Sequence, residues 1–145
     1  MRHAKTIGGA ALLLAAAAAG PAQAQGMENA GLAASAAQKA AHIRGMHAVG
    51  EPFTGVLASS ASARRRVPLQ AGHSYALAGS CDEPCRDLDL RLLGPDGAEV
   101  SADLERDAEP LVRVVPRWSG SYEVRAYMAD CRASGCAFTV RLLER

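Results

Sequence analysis

From residue 53 onward, apolar and polar side chains alternate with a period of two. This constrains the fold more than any other feature of the chain. The clearest run is DLDLRLL, residues 87–93, in which Leu88, Leu90 and Leu92 share one face and Asp87, Asp89 and Arg91 the other. Strand side chains point to opposite faces in turn, so the pattern describes a strand with one buried and one wet side. The same period predicts strands over 54–58, 64–69, 71–80, 98–102, 111–115, 121–128 and 136–143. Tyr122, Val124, Ala126 and Met128 share a face in one of them, and Phe138, Val140 and Leu142 in another. Gly94-Pro95-Asp96-Gly97 is a turn by its chemistry: a proline-set φ followed by a glycine free to take positive φ. Seven or eight short strands parted by turn signals predict an all-β domain over residues 51–145, a small antiparallel, jelly-roll-like β-sandwich.

Residues before 51 read differently. Arg2, His3 and Lys5 precede an Ala/Leu stretch that ends in Gly20-Pro21 and the small-residue sequence Ala22-Gln23-Ala24. This is the three-part order of a secretory signal over 1–24, with cleavage after Ala24 and a periplasmic or secreted product without a membrane span. Residues 25–50 then form an alanine-rich helix and linker, with Leu32, Ala36, Ala40 and Ile43 as a thin apolar stripe ended by Gly45 and Gly50-Glu51-Pro52. Without Arg2 and Lys5, 14 basic residues face 15 acidic ones, a net charge of −1. That balance exerts no broad pull on nucleic acid or membrane.

All four cysteines, Cys81, Cys85, Cys131 and Cys136, lie in the expected exported part, where oxidation is the rule. Four cysteines allow three pairings. The local one, Cys81–Cys85 and Cys131–Cys136, is expected because each pair flanks a predicted turn and reads as a pinned hairpin. Crossed pairing would require the two loops to lie side by side at one end. The C-x3-C and C-x4-C spacings do not match zinc knuckles, and no C-x-x-C redox pair is present.

Several segments, in order, resemble the bacterial pre-peptidase C-terminal domain, a β-sandwich module of exported proteins. They are the strand entry L-x-A-G-x-x-Y at Leu69–Tyr75, D-x-D-L-x-L at Asp87–Leu92, the turn P-x-G at Pro95–Gly97, an aspartate loop, and S-G-x-Y-x-V-x-A at Ser119–Ala126. The chain is also similar to a narrower group of uncharacterised exported proteobacterial proteins with two cysteine pairs. Two departures matter. That module usually trails an enzyme, whereas the residues ahead of it here are expected to be a signal and an alanine-rich helix. The cysteine pairs are not part of its general pattern.

Ten of the 15 acidic residues fall within 82–109, offset there by three arginines. Calcium takes six to eight oxygen ligands, and some modules of the resembled type bind it. Asp87, Asp89, Asp103 and Asp107 are therefore the residues that could hold calcium, the one cofactor considered. The structural alternative pairs Asp87 and Asp89 with Arg113, Arg125 or Arg141, and uses Asp103 and Asp107 to cap turns. Trp118 and Tyr127 could form a sugar-stacking platform. Otherwise Trp118 is a packed or half-exposed turn residue. Arg64-Arg65-Arg66 could touch acidic polymers or guard a strand edge. His42, His47 and His73 accompany no nucleophile motif, and there is no G-x-S-x-G, H-E-x-x-H or phosphate loop, so no catalytic residue is assigned. The sequence thus describes a non-catalytic module binding a partner protein or an envelope polymer. The rival readings are a protease accessory or inhibitor and a calcium-dependent structural module.

Overall fold

The computed structural model describes Lys39 and residues 42–145. The expected signal segment, and the expected helix before residue 42 apart from Lys39, lie outside the described residues. Lys39 and His42 carry helical backbone, and a turn over 43–45 follows. The described residues all lie within one compact unit.

Nine strands follow: β1 (His47–Ala48), β2 (Phe53–Leu57), β3 (Ser62–Leu69), β4 (Tyr75–Cys81), β5 (Cys85–Leu93), β6 (Glu99–Asp103), β7 (Leu111–Val114), β8 (Gly120–Cys131) and β9 (Cys136–Glu144). They make two antiparallel sheets. Sheet A runs β1-β9-β4-β7, with β2 also paired to β9. Sheet B runs β3-β8-β5-β6. The short β1 precedes the expected start of the sandwich at residue 51, yet pairs His47 with Glu144 and Ala48 with Leu143.

Over β2–β9 the sheet orders are β2-β9-β4-β7 and β3-β8-β5-β6, the interleaving of a jelly roll. From β2 to β9, β5–β6 is the hairpin. Every other connection passes from one sheet to the other. This corrects the expectation for CDEPC. Its flanking strands β4 and β5 are not hairpin partners but belong to different sheets, and the same holds for β8 and β9 around Cys131 and Cys136. Both cysteine loops are corners between sheets.

The alternation places the core. Leu88, Leu90 and Leu92 of β5 and Tyr122, Val124, Ala126 and Met128 of β8 are buried from sheet B. They face Phe53, Tyr75, Leu77, Val112, Phe138 and Val140 of sheet A. Each such large side chain contributes about 1.5–3 kcal/mol on burial. Phe53 and Phe138 meet edge to face, with ring centroids 5.2 Å apart. Gly79 lies where Pro110 and Leu90 crowd the β4 backbone. A Cβ there would stand 2.8 Å from Pro110 Cγ and 3.1 Å from Leu90 Cδ1.

The side between β2 and β3 is closed by a charge. Arg65 stacks 5.1 Å over the Phe53 ring and donates to the Pro52 carbonyl at 2.9 Å. The basic triplet thus sits on an edge strand, with Arg64 and Arg66 on its wet face and Arg65 reaching back over the core.

Candidate functional site

The site is at the end of the sandwich where β5 turns into β6 and β7 hands over to β8. The β5–β6 turn is set locally. Gly97 takes a φ of 81°, its N–H donates to Gly94 C=O at 2.9 Å, and Asp96 Oδ1 accepts from Ala98 N–H at 3.1 Å. Pro95 then lies against the start of β8, since a Cβ on Gly120 would come within 2.9 Å of Pro95 Cγ.

The β7–β8 loop is pinned through two backbone carbonyls and one hydroxyl. Pro116 is buried, and its carbonyl accepts from Gly72 N–H at 2.9 Å. The hydroxyl of buried Tyr122 donates to Trp118 C=O at 2.8 Å. Ser119 Oγ accepts from Ala71 N–H at 2.9 Å. The loop is thus tied at three points, yet Trp118 is 68% exposed. Val100 and Val115, also exposed, stand with Trp118 and Pro95 around a groove of about 620 Å³ rimmed by Asp96, Glu99 and Arg117. An exposed apolar cluster with a polar rim is the usual anatomy of a recognition surface. The sequence reading had singled out Trp118 but missed Val100 and Val115. Pro116 ends one strand and the Gly94–Gly97 turn starts another, which leaves both valines at strand ends.

Tyr127 does not share this site. It lies seven positions along β8 from Gly120, about 23 Å at strand rise, and faces Ser62 and Asp89. The two aromatic rings therefore form no common platform.

The four aspartates do gather on one side of the molecule, and two of them make contacts of their own. Asp103 Oδ2 accepts from Leu111 N–H at 2.7 Å and its Oδ1 from Glu105 N–H at 3.1 Å. Asp107 Oδ1 accepts from Glu109 N–H at 2.8 Å. Both carboxylates thus hold loops. A cation already lies between them: Lys39 Nζ is 2.6 Å from Asp107 Oδ2, 3.6 Å from Asp103 Oδ2 and 2.6 Å from the Glu109 carbonyl. Burial lowers the Lys39 pKa. The Asp107 hydrogen bond and the charges of Asp107, Asp103 and Glu105 outweigh it and hold the pKa above the ordinary lysine value.

Asp87 and Asp89 are pushed above the usual aspartate range, mainly by burial. The Asp89 charge adds to the shift at Asp87, and the Asp103 charge to that at Asp89. Asp87 Oδ1 is buried without a hydrogen-bond partner. Among the described residues neither aspartate pairs with Arg113, Arg125 or Arg141. Arg113 instead donates to His42 Nδ1 at 3.1 Å, and Arg125 pairs with Glu123 at 2.6 Å. No group of three or more His, Cys, Asp or Glu side chains with metal-holding geometry is present among the described residues.

Two of the described histidines, His42 and His73, have polar partners. His73 Nδ1 lies 2.7 Å from Glu144 Oε1 and its ring stacks near Tyr75. The His73 hydrogen bond is the main reason that the Glu144 carboxyl sits below its ordinary value. His47, opposite Glu144 on β1, adds its charge.

At the far end Cys81 bonds Cys85, and Cys131 bonds Cys136, with Cα atoms 5.9 Å apart in each pair. No described cysteine is free. Cys85 stands directly opposite Cys131 in sheet B. The two loops therefore do lie side by side, the condition crossed pairing would have needed, and the bonds are nonetheless local. Ser59 reinforces this end: its Oγ accepts from Cys131 N–H at 2.7 Å and donates to the Cys131 carbonyl at 2.9 Å.

No protein-family model matches the chain, and no curated protein is similar to it. Among solved structures the chain is similar to PliG of Aeromonas hydrophila, a periplasmic lysozyme inhibitor of g-type lysozyme. The TM-score is 0.43 and the identity 14%, over 68% of this chain and 89% of that one. That likeness is too loose to transfer a partner. Among the described residues no helix is long and apolar enough to cross a membrane.

Proposed function

We propose that the protein is an exported, non-catalytic β-sandwich module that binds a partner protein at the groove around Trp118. The observation that carries this reading is a contrast within one loop. The loop is tied through the Pro116 and Trp118 carbonyls and the Ser119 hydroxyl, while the Trp118 side chain faces water beside Val100 and Val115. A rigid aromatic anchor loses little conformational freedom on binding, and such residues dominate protein interfaces. The groove's walls are aliphatic, and the neighbouring Tyr122 is buried with its hydroxyl spent on the Trp118 carbonyl, which favours a protein side chain over a sugar ring. Export is supported by the two disulfides together with the basic, apolar and small-residue order at the start of the chain.

Membership of the pre-peptidase C-terminal type rests on its ordered motifs. What supports it in the fold is that Asp87–Leu92 and Ser119–Ala126 supply the adjacent strands β5 and β8, while Leu69–Tyr75 links β3 to β4.

The test uses the sole tryptophan as reporter. Wild type and Trp118→Ala, each immobilised, are exposed to a periplasmic fraction, and proteins retained by wild type alone are purified and titrated back. The reading expects saturable binding with a shift in Trp118 emission, and loss of at least about thirtyfold in affinity for Trp118→Ala, the scale of an interface hot spot. Identical retention by both forms would overturn it. If the purified partner is an enzyme and its activity falls on binding, the inhibitor reading takes over at the same groove.

A further inference from the structure

The wet face of sheet B carries a feature that the Trp118 groove does not use. Arg64 of β3 pairs directly with Arg125 of β8, and Arg125 with Arg91 of β5, so three arginines stand in one row across three strands. Adjacent strands lie about 4.8 Å apart, which puts the three stems within about 10 Å. Arg66 projects from the same face two positions further along β3, opposite Glu123. Like charges directly opposite on a sheet are destabilising. Among the described residues two carboxylates form ion pairs with these four cations: Arg91 pairs with Glu99 at 2.5 Å and Arg125 with Glu123 at 2.6 Å, while Asp89 meets Arg91 through charge alone. Arg64 and Arg66 are exposed and make no ion pair among the described residues. Glu123 is held below the usual carboxylate range by its Arg125 hydrogen bond and by the charges of Arg125, Arg64 and Arg66. A shallow polar recess of about 340 Å³ opens beside Ser62, Ala63, Arg64 and Arg125.

We infer that this arginine row is a binding surface for a linear phosphate-bearing polymer lying across β3, β8 and β5. The guanidinium fork matches phosphate oxygens in pairs, and the two unanswered arginines supply the excess charge that such a chain would neutralise. The rest of the face decides between a chain and a bilayer. Beyond the row stand Tyr127 and Asp89, then Asp87 opposite Asp130. A plane of negative charge would meet these aspartates as well as the arginines, whereas a narrow chain meets the arginines alone.

The experiment measures binding of labelled long-chain polyphosphate to the purified exported protein across a series of salt concentrations. Wild type binds, with affinity falling linearly in log salt as phosphate contacts release counterions. Arg64→Gln with Arg66→Gln reduces the slope by about two and weakens binding at least about tenfold at low salt. Arg132→Gln with Arg141→Gln has the same net charge, with both changes away from the row, and leaves slope and affinity unchanged. Arg64→Lys with Arg66→Lys keeps the slope and loses part of the affinity. Four results would overturn the inference: no polymer binding by wild type, equal loss in the two Gln pairs, equal binding of a carboxylate polymer such as alginate, or preference for anionic phosphatidylglycerol vesicles over the polymer. A dimer that forms without polymer and dissolves on Arg64 and Arg66 replacement would also overturn it, assigning the face to a second copy.

Discussion

The two ends of the sandwich are held by different means. At one end, β4 passes to β5 and β8 to β9 through short corners, each closed by a disulfide, with Ser59 tied to Cys131. On the flank nearby, Lys39 neutralises Asp103 and Asp107. There the reactive and charged side chains are consumed in holding the chain. At the other end no covalent link joins the loops. Gly94–Ala98 and Pro116–Ser119 are held mostly through backbone groups, and the side chains of Val100, Val115 and Trp118 are left to face water. One end spends its side chains on holding the chain, and the other keeps them free for a partner. A loop whose backbone is fixed and whose side chains are unengaged is preorganised for a partner.

The largest test of this contrast is reduction. Each disulfide closes a loop of four or five residues, worth about 2 kcal/mol in the chain-entropy model. Losing both is expected to lower unfolding free energy by about 4 kcal/mol, read by urea melts with and without reductant. The Trp118 emission of the reduced but still folded protein should not change. If reduction perturbs Trp118 before global unfolding, the two ends are not independent.

Replacing Lys39 comes next. Lys39→Met leaves two half-buried carboxylates facing each other and should cost about 1–2 kcal/mol, between exposed and buried ion pairs. Millimolar calcium should not raise the melting temperature of wild type, because the ammonium already occupies the position between Asp103 and Asp107. A calcium-dependent rise would revive the metal reading of the aspartates.

A smaller effect is expected at Asp87. Its folded pKa lies above the unfolded value because burial and the Asp89 charge disfavour the carboxylate. The folded state therefore binds its proton more readily, and stability contributed through this group falls as pH rises from the ordinary aspartate range through the folded pKa. Asp87→Asn should raise stability at neutral pH by less than about 1 kcal/mol. The gain should disappear in acid, where wild type carries the proton as well. Glu123 and Glu144 run the other way. Both are held below their ordinary values, so what they contribute is present above the unfolded glutamate range and is lost as pH falls through their folded pKa values. Melts of Asp87→Asn and Glu123→Gln across pH should then differ in sign.

The smallest change in stability is expected at the open end. Trp118→Ala should alter unfolding free energy by no more than about 0.5 kcal/mol, since the indole is mostly in water. Equilibrium melts check this. A large loss would mean that the ring packs the fold, and the groove would lose its anchor.

Much of this could be read from residue order because the backbone imposes it locally. A period of two marks strand faces wherever it occurs, so the buried Leu88, Leu90 and Leu92 of β5 and the Tyr122–Met128 face of β8 follow from alternation. Gly94-Pro95-Asp96-Gly97 carries its own turn. The cysteine bonds are local because residues four or five apart, at a corner, are already within disulfide reach. What could not be read this way depends on which strands meet. A turn's composition sets φ angles, not the sheet that the next strand joins, so the cysteine loops read as hairpins until the sheet order shows them to be corners. Lys39 reaches Asp107 across 68 residues of sequence, and no local pattern announces such a pair. Trp118 and Tyr127 sit nine residues apart in the sequence, yet one strand carries them to different regions. Arg64, Arg91 and Arg125 form a row through two strand registers. Register is chosen by the burial of whole hydrophobic faces, a long-range sum that no single segment contains.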